Sequence, residues 1–156
     1  MLEESKPTDR FAAGLTSFVT FRLARVQNRL NVQATATLSA HSDLSLTEWR
    51  MISLINASGE TSAADLSRTA QMDKGQISRA LKSLAAKGYI ASRTSASDQR
   101  QSLLRLSAEG AAVHRRLVAI MRRRQERLTD TMSDAELATF YAALEKLEAA
   151  AMEPVI

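Results

Sequence analysis

"MDKGQISRALKSLAAKGYI", Met72 to Ile90, is the stretch whose reading decides the fold. Asp73 is an N-cap residue with Gln76 three positions on, so the two are expected to form a capping box, with Met72 and Ile77 as its hydrophobic staple. Gly88 closes the segment as a C-terminal cap. At about 100° per residue, Ile77, Ala80, Leu81 and Leu84 share one face, and Gly75, Gln76, Ser78, Arg79, Lys82 and Ser83 lie across from them. The second face carries donors and small residues and no carboxylate. A helix face that is merely solvated mixes acids with bases. A helix that enters the major groove of DNA keeps negative charge away from phosphates and offers amide and guanidinium groups to base edges.

The flanks agree with that reading. Upstream, "TSAADLSRTAQ", Thr61 to Gln71, reads as a short helix capped by Thr61, and a gap of about three residues between two short helices is the spacing of a helix-turn-helix. Downstream the periodicity turns strand-like: "YIASRT" and "QSLLRLS" are joined by the polar "SASDQRQ", which predicts a two-stranded hairpin, a wing, directly after the presumed recognition helix. Small residues such as Ser97 let the tip approach DNA. Arg100 is expected to enter a minor groove, where the negative potential is focused, with Asp98 orienting it or fixing the loop. The expected DNA-contacting set is Lys74, Gln76, Ser78, Arg79, Lys82, Arg93, Ser97, Asp98 and Arg100.

Charge is distributed to match. The net charge is +4, but between Thr61 and Leu106 eight basic residues face three acidic ones, while the remainder holds thirteen basic and fourteen acidic. All the positive excess therefore lies in the middle third, the footprint of a polyanion-binding module. With 156 residues, 45% hydrophobic and 24% charged, the chain fits one folded core. The acidic, proline-containing start and the lack of a long apolar run predict a cytoplasmic protein without signal peptide or membrane span. Zero cysteines exclude disulfides and thiol switches, and two distant histidines make no recognisable metal set. No glycine-rich phosphate loop or nucleophile elbow is present, so neither an enzyme nor a cofactor is expected.

The blocks "LSLTEWRMISLI", "MDKGQISRALKSLAAKGYI" and "DQRQSLLRLSAEG" resemble consecutive blocks of the MarR (multiple antibiotic resistance regulator) family of winged helix-turn-helix repressors, over about Asp43 to Gly110. The pattern Asp98, Arg100, Leu106, Ser107, Gly110 is the most specific part; Ser107 stands where the family usually has Thr. The resemblance implies a homodimer that binds a short palindromic operator on double-stranded DNA and is released by a small-molecule effector, often an aromatic acid. At the matching junction the candidate effector residues are Arg22, His41, Trp49 and Arg50. A helical dimeric protein-interaction adaptor without specific DNA binding is the alternative.

The expected architecture is mainly α with a small β-hairpin wing, one domain over 1–156. A dimerisation helix covers 8–40, with Thr8 as its cap and Phe11, Leu15, Phe18, Val19, Leu23, Val26 and Leu30 recurring at helical spacing. The winged lobe covers 45–106, opened by a Ser45 to Glu48 capping box with Leu44 and Trp49 as staple. C-terminal dimerisation helices cover 107–152, capped by Ser107 and by a Ser133 to Glu136 box. Phe140, Leu144 and Leu147, with Leu15, Phe18 and Val19, exceed what a small lobe covers alone, so pairing across a two-fold axis is expected. Arg122, Arg123, Arg124 and Arg127 read as a solvated face with ion pairs inside that dimer, and His114 as structural.

Overall fold

The computed structural model describes residues 14–95 and 102–154. A 3-10 turn, Leu15–Ser17, leads into α1 (Val19–His41). Then follow α2 (Leu46–Ser58), β1 (Thr61–Ser62), α3 (Ala63–Ala70), α4 (Lys74–Ala86), β2 (Ile90–Thr94), β3 (Ser102–Leu106), α5 (Ala108–Thr129) and α6 (Asp134–Met152). The protein is mainly helical with a small antiparallel sheet, as the patterning requires. The chain divides into two compact units, Met1–Leu117 and Val118–Ile156.

Most caps form where side-chain chemistry calls for them. Ser45 and Glu48 make the full box at α2, and Ser133 and Glu136 make it at α6. The end of α4 is a Schellman closure: Gly88, at φ 73°, donates its N–H to the Ala85 carbonyl at 3.0 Å, and Tyr89 donates to Leu84 at 2.9 Å. At the start of α5 the Ser107 Oγ accepts from the Gly110 N–H at 3.0 Å and donates to the Gly88 carbonyl at 2.6 Å. Gly110 itself is forced by packing. A Cβ there would lie 2.0 Å from the Tyr89 carbonyl oxygen.

Three expectations need correction. Thr61 does not cap α3; Ser62 does, accepting from the Asp65 N–H at 3.1 Å, because Thr61 and Ser62 are drawn into a strand. That strand, β1, pairs with β3, so the wing is part of a three-stranded sheet of order β1-β3-β2 and not an isolated hairpin. At α4 only half of the capping box forms: Asp73 accepts from the Gln76 N–H at 3.0 Å, and among the described residues the Gln76 amide makes no hydrogen bond. The long first helix begins, in the described part, at Val19 and ends at His41, while Thr8 and Phe11 lie outside the described residues.

The core of the first unit gathers Leu38, Leu44, Met51, Ile52, Ile55, Leu66, Ile77, Leu84 and Leu117, all buried. Within it Glu48 is only 4% exposed. Its carboxylate accepts from the Ser45 N–H at 2.6 Å and from the Lys87 Nζ at 2.9 Å, and Lys87 donates again to the Asp43 carbonyl at 2.7 Å. Burial pushes the Glu48 carboxyl up, but hydrogen bonds from Ser83, Ser45 and Lys87 together outweigh it and hold the group below its ordinary range. One side chain thus caps α2 and ties it to both Ser83 within α4 and Lys87 at its end. Removing one partner of a buried pair costs about 3–5 kcal/mol, less where a partner keeps water contact. Since the Lys87 side chain is 25% exposed, Lys87→Met is expected to cost about 2–3 kcal/mol in chemical denaturation, and adding Glu48→Gln to recover much of it. A loss below about 0.5 kcal/mol, the level of a surface pair, would refute this account of the joint.

Candidate nucleic-acid interface

Helix α4 separates its faces as its sequence dictates. Ile77, Ala80, Leu81 and Leu84 are buried. Lys74, Gln76, Ser78, Arg79 and Lys82 are exposed, with Gly75 and Ser83 between the two. Five of the expected contact residues therefore stand together on one solvent-facing surface, without a carboxylate between Lys74 and Ala86. Beside it runs a groove of about 370 Å³ whose walls are Ser45, Thr47 and Glu48 from the start of α2 and Gln76, Arg79, Ala80 and Ser83 from α4. The lining side chains carry hydroxyl, amide and guanidinium groups, together with the Glu48 carboxylate that Lys87 engages. Thr47 is a member of this surface that the periodicity of α4 could not reveal, because it is 27 or more residues away in sequence and approaches only through the α2–α4 packing.

The basic excess is more concentrated than the sequence count implies. Arg68 is paired with Asp65, Lys87 with Glu48, and Arg93 with Glu60. Lys74, Arg79, Lys82 and Arg105 form no ion pair among the described residues. Arg93 differs from the rest of the expected set: its Nε and one terminal nitrogen donate to the two Glu60 oxygens at 2.7 and 2.6 Å. Ser97, Asp98 and Arg100, the expected wing-tip contacts, lie outside the described residues.

The four residues named for an effector are not gathered into one cavity. Arg22 lines a shallow hollow of about 130 Å³ on α1 with Arg25, Val26 and Arg29, and at 1.5 Å per residue it is about 28 Å along the helix from His41. His41 is exposed at the end of α1. Arg50 donates to Asn31 Oδ1 at 3.0 Å, joining α2 to α1. Trp49 stacks on His114 with ring centroids 5.4 Å apart and planes 15° from parallel. That contact explains the two rings structurally: they join α2 to the first turns of α5. Among the described residues no cluster of three or more histidine or acidic side chains could hold a metal ion.

A short helix, a tight left-handed turn at Gln71 (φ 47°), an acid-free second helix and a three-stranded wing are the parts of a winged helix-turn-helix. The model of the MarR family matches residues 42–101. Over that segment the lobe is similar to the MarR family. Solved MarR-family structures share the fold beyond that segment. A MarR/EmrR family transcriptional regulator from Acinetobacter sp. ADP1 is 23% identical with a TM-score of 0.79, covering 85% of this chain and 93% of its own. Streptococcus pneumoniae FabT, solved in complex with DNA, is 25% identical with a TM-score of 0.70, covering 84% and 93%. Bordetella bronchiseptica BpsR, whose DNA binding is regulated by 6-hydroxynicotinic acid, is 18% identical with a TM-score of 0.79, covering 92% and 98%. Among curated proteins none matches this sequence. Transcription regulation and DNA binding are described for these similar proteins.

The stacked ring pair carries a pH dependence of its own. Burial pushes the His114 imidazole below its ordinary value of 6.5, so the folded protein prefers it neutral. Below pH 6.5 the unfolded chain takes up this proton first, and stability is lost as pH falls through that value. Thermal melts between pH 7.5 and 5.5 should therefore show a drop in Tm for the parent that is smaller in His114→Phe, which keeps an aromatic ring against Trp49. Equal drops in both proteins would mean that His114 does not set this dependence.

Proposed function

We propose that the chain is a homodimeric, sequence-specific repressor that binds a palindromic operator on double-stranded DNA and is released by a small-molecule effector. The observation that carries the DNA-reading part is the exposed, acid-free surface of α4, whose cations have no ion-pair partners among the described residues while neighbouring cations are paired. Arg79 and Gln76 are suited to base edges in the major groove, Ser78 to either base or phosphate, and Lys74 and Lys82 to phosphates. The groove beside α4 presents Ser45 and Thr47 hydroxyls to an approaching backbone, on a wall whose Glu48 carboxylate is already bound by Lys87. Arg100, with Ser97 and Asp98, is assigned the minor groove.

Support for the dimer comes from unburied apolar side chains. On α1 and just before it Leu15, Phe18, Val19, Val26 and Val32 are exposed, and on α6 so are Phe140, Tyr141, Leu147 and Met152. Helix α6 buries none of its residues. Covering these faces with a second copy would bring two α4 helices to adjacent half-sites, about 34 Å apart, and so call for a palindrome. The effector reading draws on likeness to BpsR and on family resemblance; Arg22, His41, Trp49 and Arg50 do not converge within one protomer, so a site using them would need the partner copy. The protein is read as a cytoplasmic non-enzyme that uses no cofactor. No helix among the described residues is long and apolar enough to cross a membrane.

Fluorescence anisotropy with the DNA upstream of the gene, against a scrambled duplex at two salt concentrations, tests the reading. Specific regulation requires tighter binding to the first and a steep loss with salt. Arg79→Ala should cost about 1–3 kcal/mol and relax preference at one base pair, whereas Lys82→Ala should weaken all duplexes alike and lower the salt slope by about 1. No binding to either duplex at low salt would favour a protein-interaction adaptor.

A further inference from the structure

We infer that Glu60 is a wing-positioning residue: it locks Arg93 into a strut across the sheet, so that Arg93 sets the reach of the wing and is not itself a phosphate ligand. This rests on the DNA-binding reading above and assigns two residues their part in it.

The sheet order β1-β3-β2 makes β2 an edge strand, hydrogen-bonded to β3 alone. Buried Ile90 and Leu104 hold the base of the β2–β3 hairpin in the core, but beyond that base the only strand ladder joining it to another element among the described residues is the one with β1, which is two residues long. So short a ladder fixes one end of the hairpin weakly. The Glu60–Arg93 pair adds a tie from the opposite edge. Glu60 immediately precedes Thr61, which lies opposite Leu104, and Arg93 lies opposite Leu103, so the pair joins the two outer strands across β3. Those outer strands run about 9–10 Å apart, a span that a long arginine side chain and a glutamate can close together.

The geometry of the contact favours a strut over a free cation. Nε and one terminal nitrogen of Arg93 meet the two carboxylate oxygens at 2.7 and 2.6 Å, a fork-to-fork arrangement that fixes direction as well as distance. Hydrogen bonding to Arg93 holds the Glu60 carboxyl below its usual range, and the same contact raises the Arg93 guanidinium, so each stays charged for the other. Arg105, on β3, adds a second positive charge toward Glu60. A phosphate approaching Arg93 would have to displace a bidentate carboxylate and then sit beside its negative charge. The cations of α4, which have no ion-pair partner among the described residues, impose no such cost.

The test uses the full-length protein, its Glu60→Gln, Arg93→Gln and double variants, operator and scrambled duplexes at several salt concentrations, and amide hydrogen exchange without DNA. A strut predicts that each single change weakens operator binding by about two- to fivefold, as suits an exposed ion pair. The slope of affinity against salt should not change, and the double variant should be no weaker than the singles. Without DNA, exchange of the β2 amides should accelerate in both single variants while that of α4 does not. The inference is overturned if Arg93→Gln lowers the salt slope by about 1 and Glu60→Gln tightens binding, the behaviour of a phosphate ligand held back by its carboxylate. It is equally overturned if β2 exchange is the same in parent and variants. If the parent binds no duplex at all, the DNA-binding reading fails by itself, and the exchange comparison still decides whether the strut exists.

Discussion

A carboxylate in the core of the lobe governs where the basic face of α4 can point, and it does so by being fully partnered: Glu48 is 4% exposed, and the Ser45 N–H, the Ser83 hydroxyl and the Lys87 ammonium all bind it. Its position does two jobs that a hydrophobic residue could not combine. It completes the cap of α2, and through Ser83 and Lys87 it fixes the last turn of α4 against that helix. Apolar packing of Ile77, Leu81 and Leu84 holds α4 onto the lobe, but such contacts tolerate sliding and rotation more than directed hydrogen bonds do. The angle at which α4 presents Gln76, Arg79 and Lys82 therefore depends on this joint. So does the groove beside it, which is made by α2 and α4 together.

Much of this was legible in the sequence because it is local. The Ser45 and Ser133 boxes, the Gly88 closure and the Ser107 cap each involve residues within a few positions of one another, and each forms. The sorting of α4 into Ile77, Ala80, Leu81 and Leu84 inside and its donors outside follows from the helical period alone. What could not be read depends on contacts between distant segments. Nothing local marks Thr61 and Ser62 as a strand, since they become one only by pairing with Leu104 and Leu103. Lys87 and Arg93 look like two more free cations until Glu48, 39 positions away, and Glu60, 33 positions away, are brought against them. The Gln76 half of the α4 box failed for a different reason: the Asp73 carboxylate caps the helix unaided, leaving the amide available for other work.

These pairings change how the positive charge should be understood. A count over the middle third describes a diffuse basic region, whereas the structure removes Arg68, Lys87 and Arg93 into ion pairs and leaves Lys74, Arg79 and Lys82 concentrated on one helix face. Paired cations near a polyanion contribute field but little contact, while unpaired ones exchange condensed counterions for phosphates directly. A lobe built in this way spreads its positive field broadly and concentrates its exposed cations on one helix face. Apolar side chains on α1 and α6 remain exposed in the single chain.

The most direct test of the central claim, that the outward face of α4 reads the major groove through Arg79, is a cycle between protein and DNA. Each guanine of a bound operator would be replaced in turn by 7-deazaguanine, which deletes only the N7 acceptor on the major-groove edge, and the affinities of the parent and of Arg79→Ala compared. At one symmetry-related pair of positions the parent should lose about tenfold, in the range of one good base contact, while Arg79→Ala loses nothing further there. If the parent tolerates the replacement at every position, or if both proteins lose affinity equally wherever it is made, Arg79 does not read a guanine in the major groove and the assignment of α4 is contradicted.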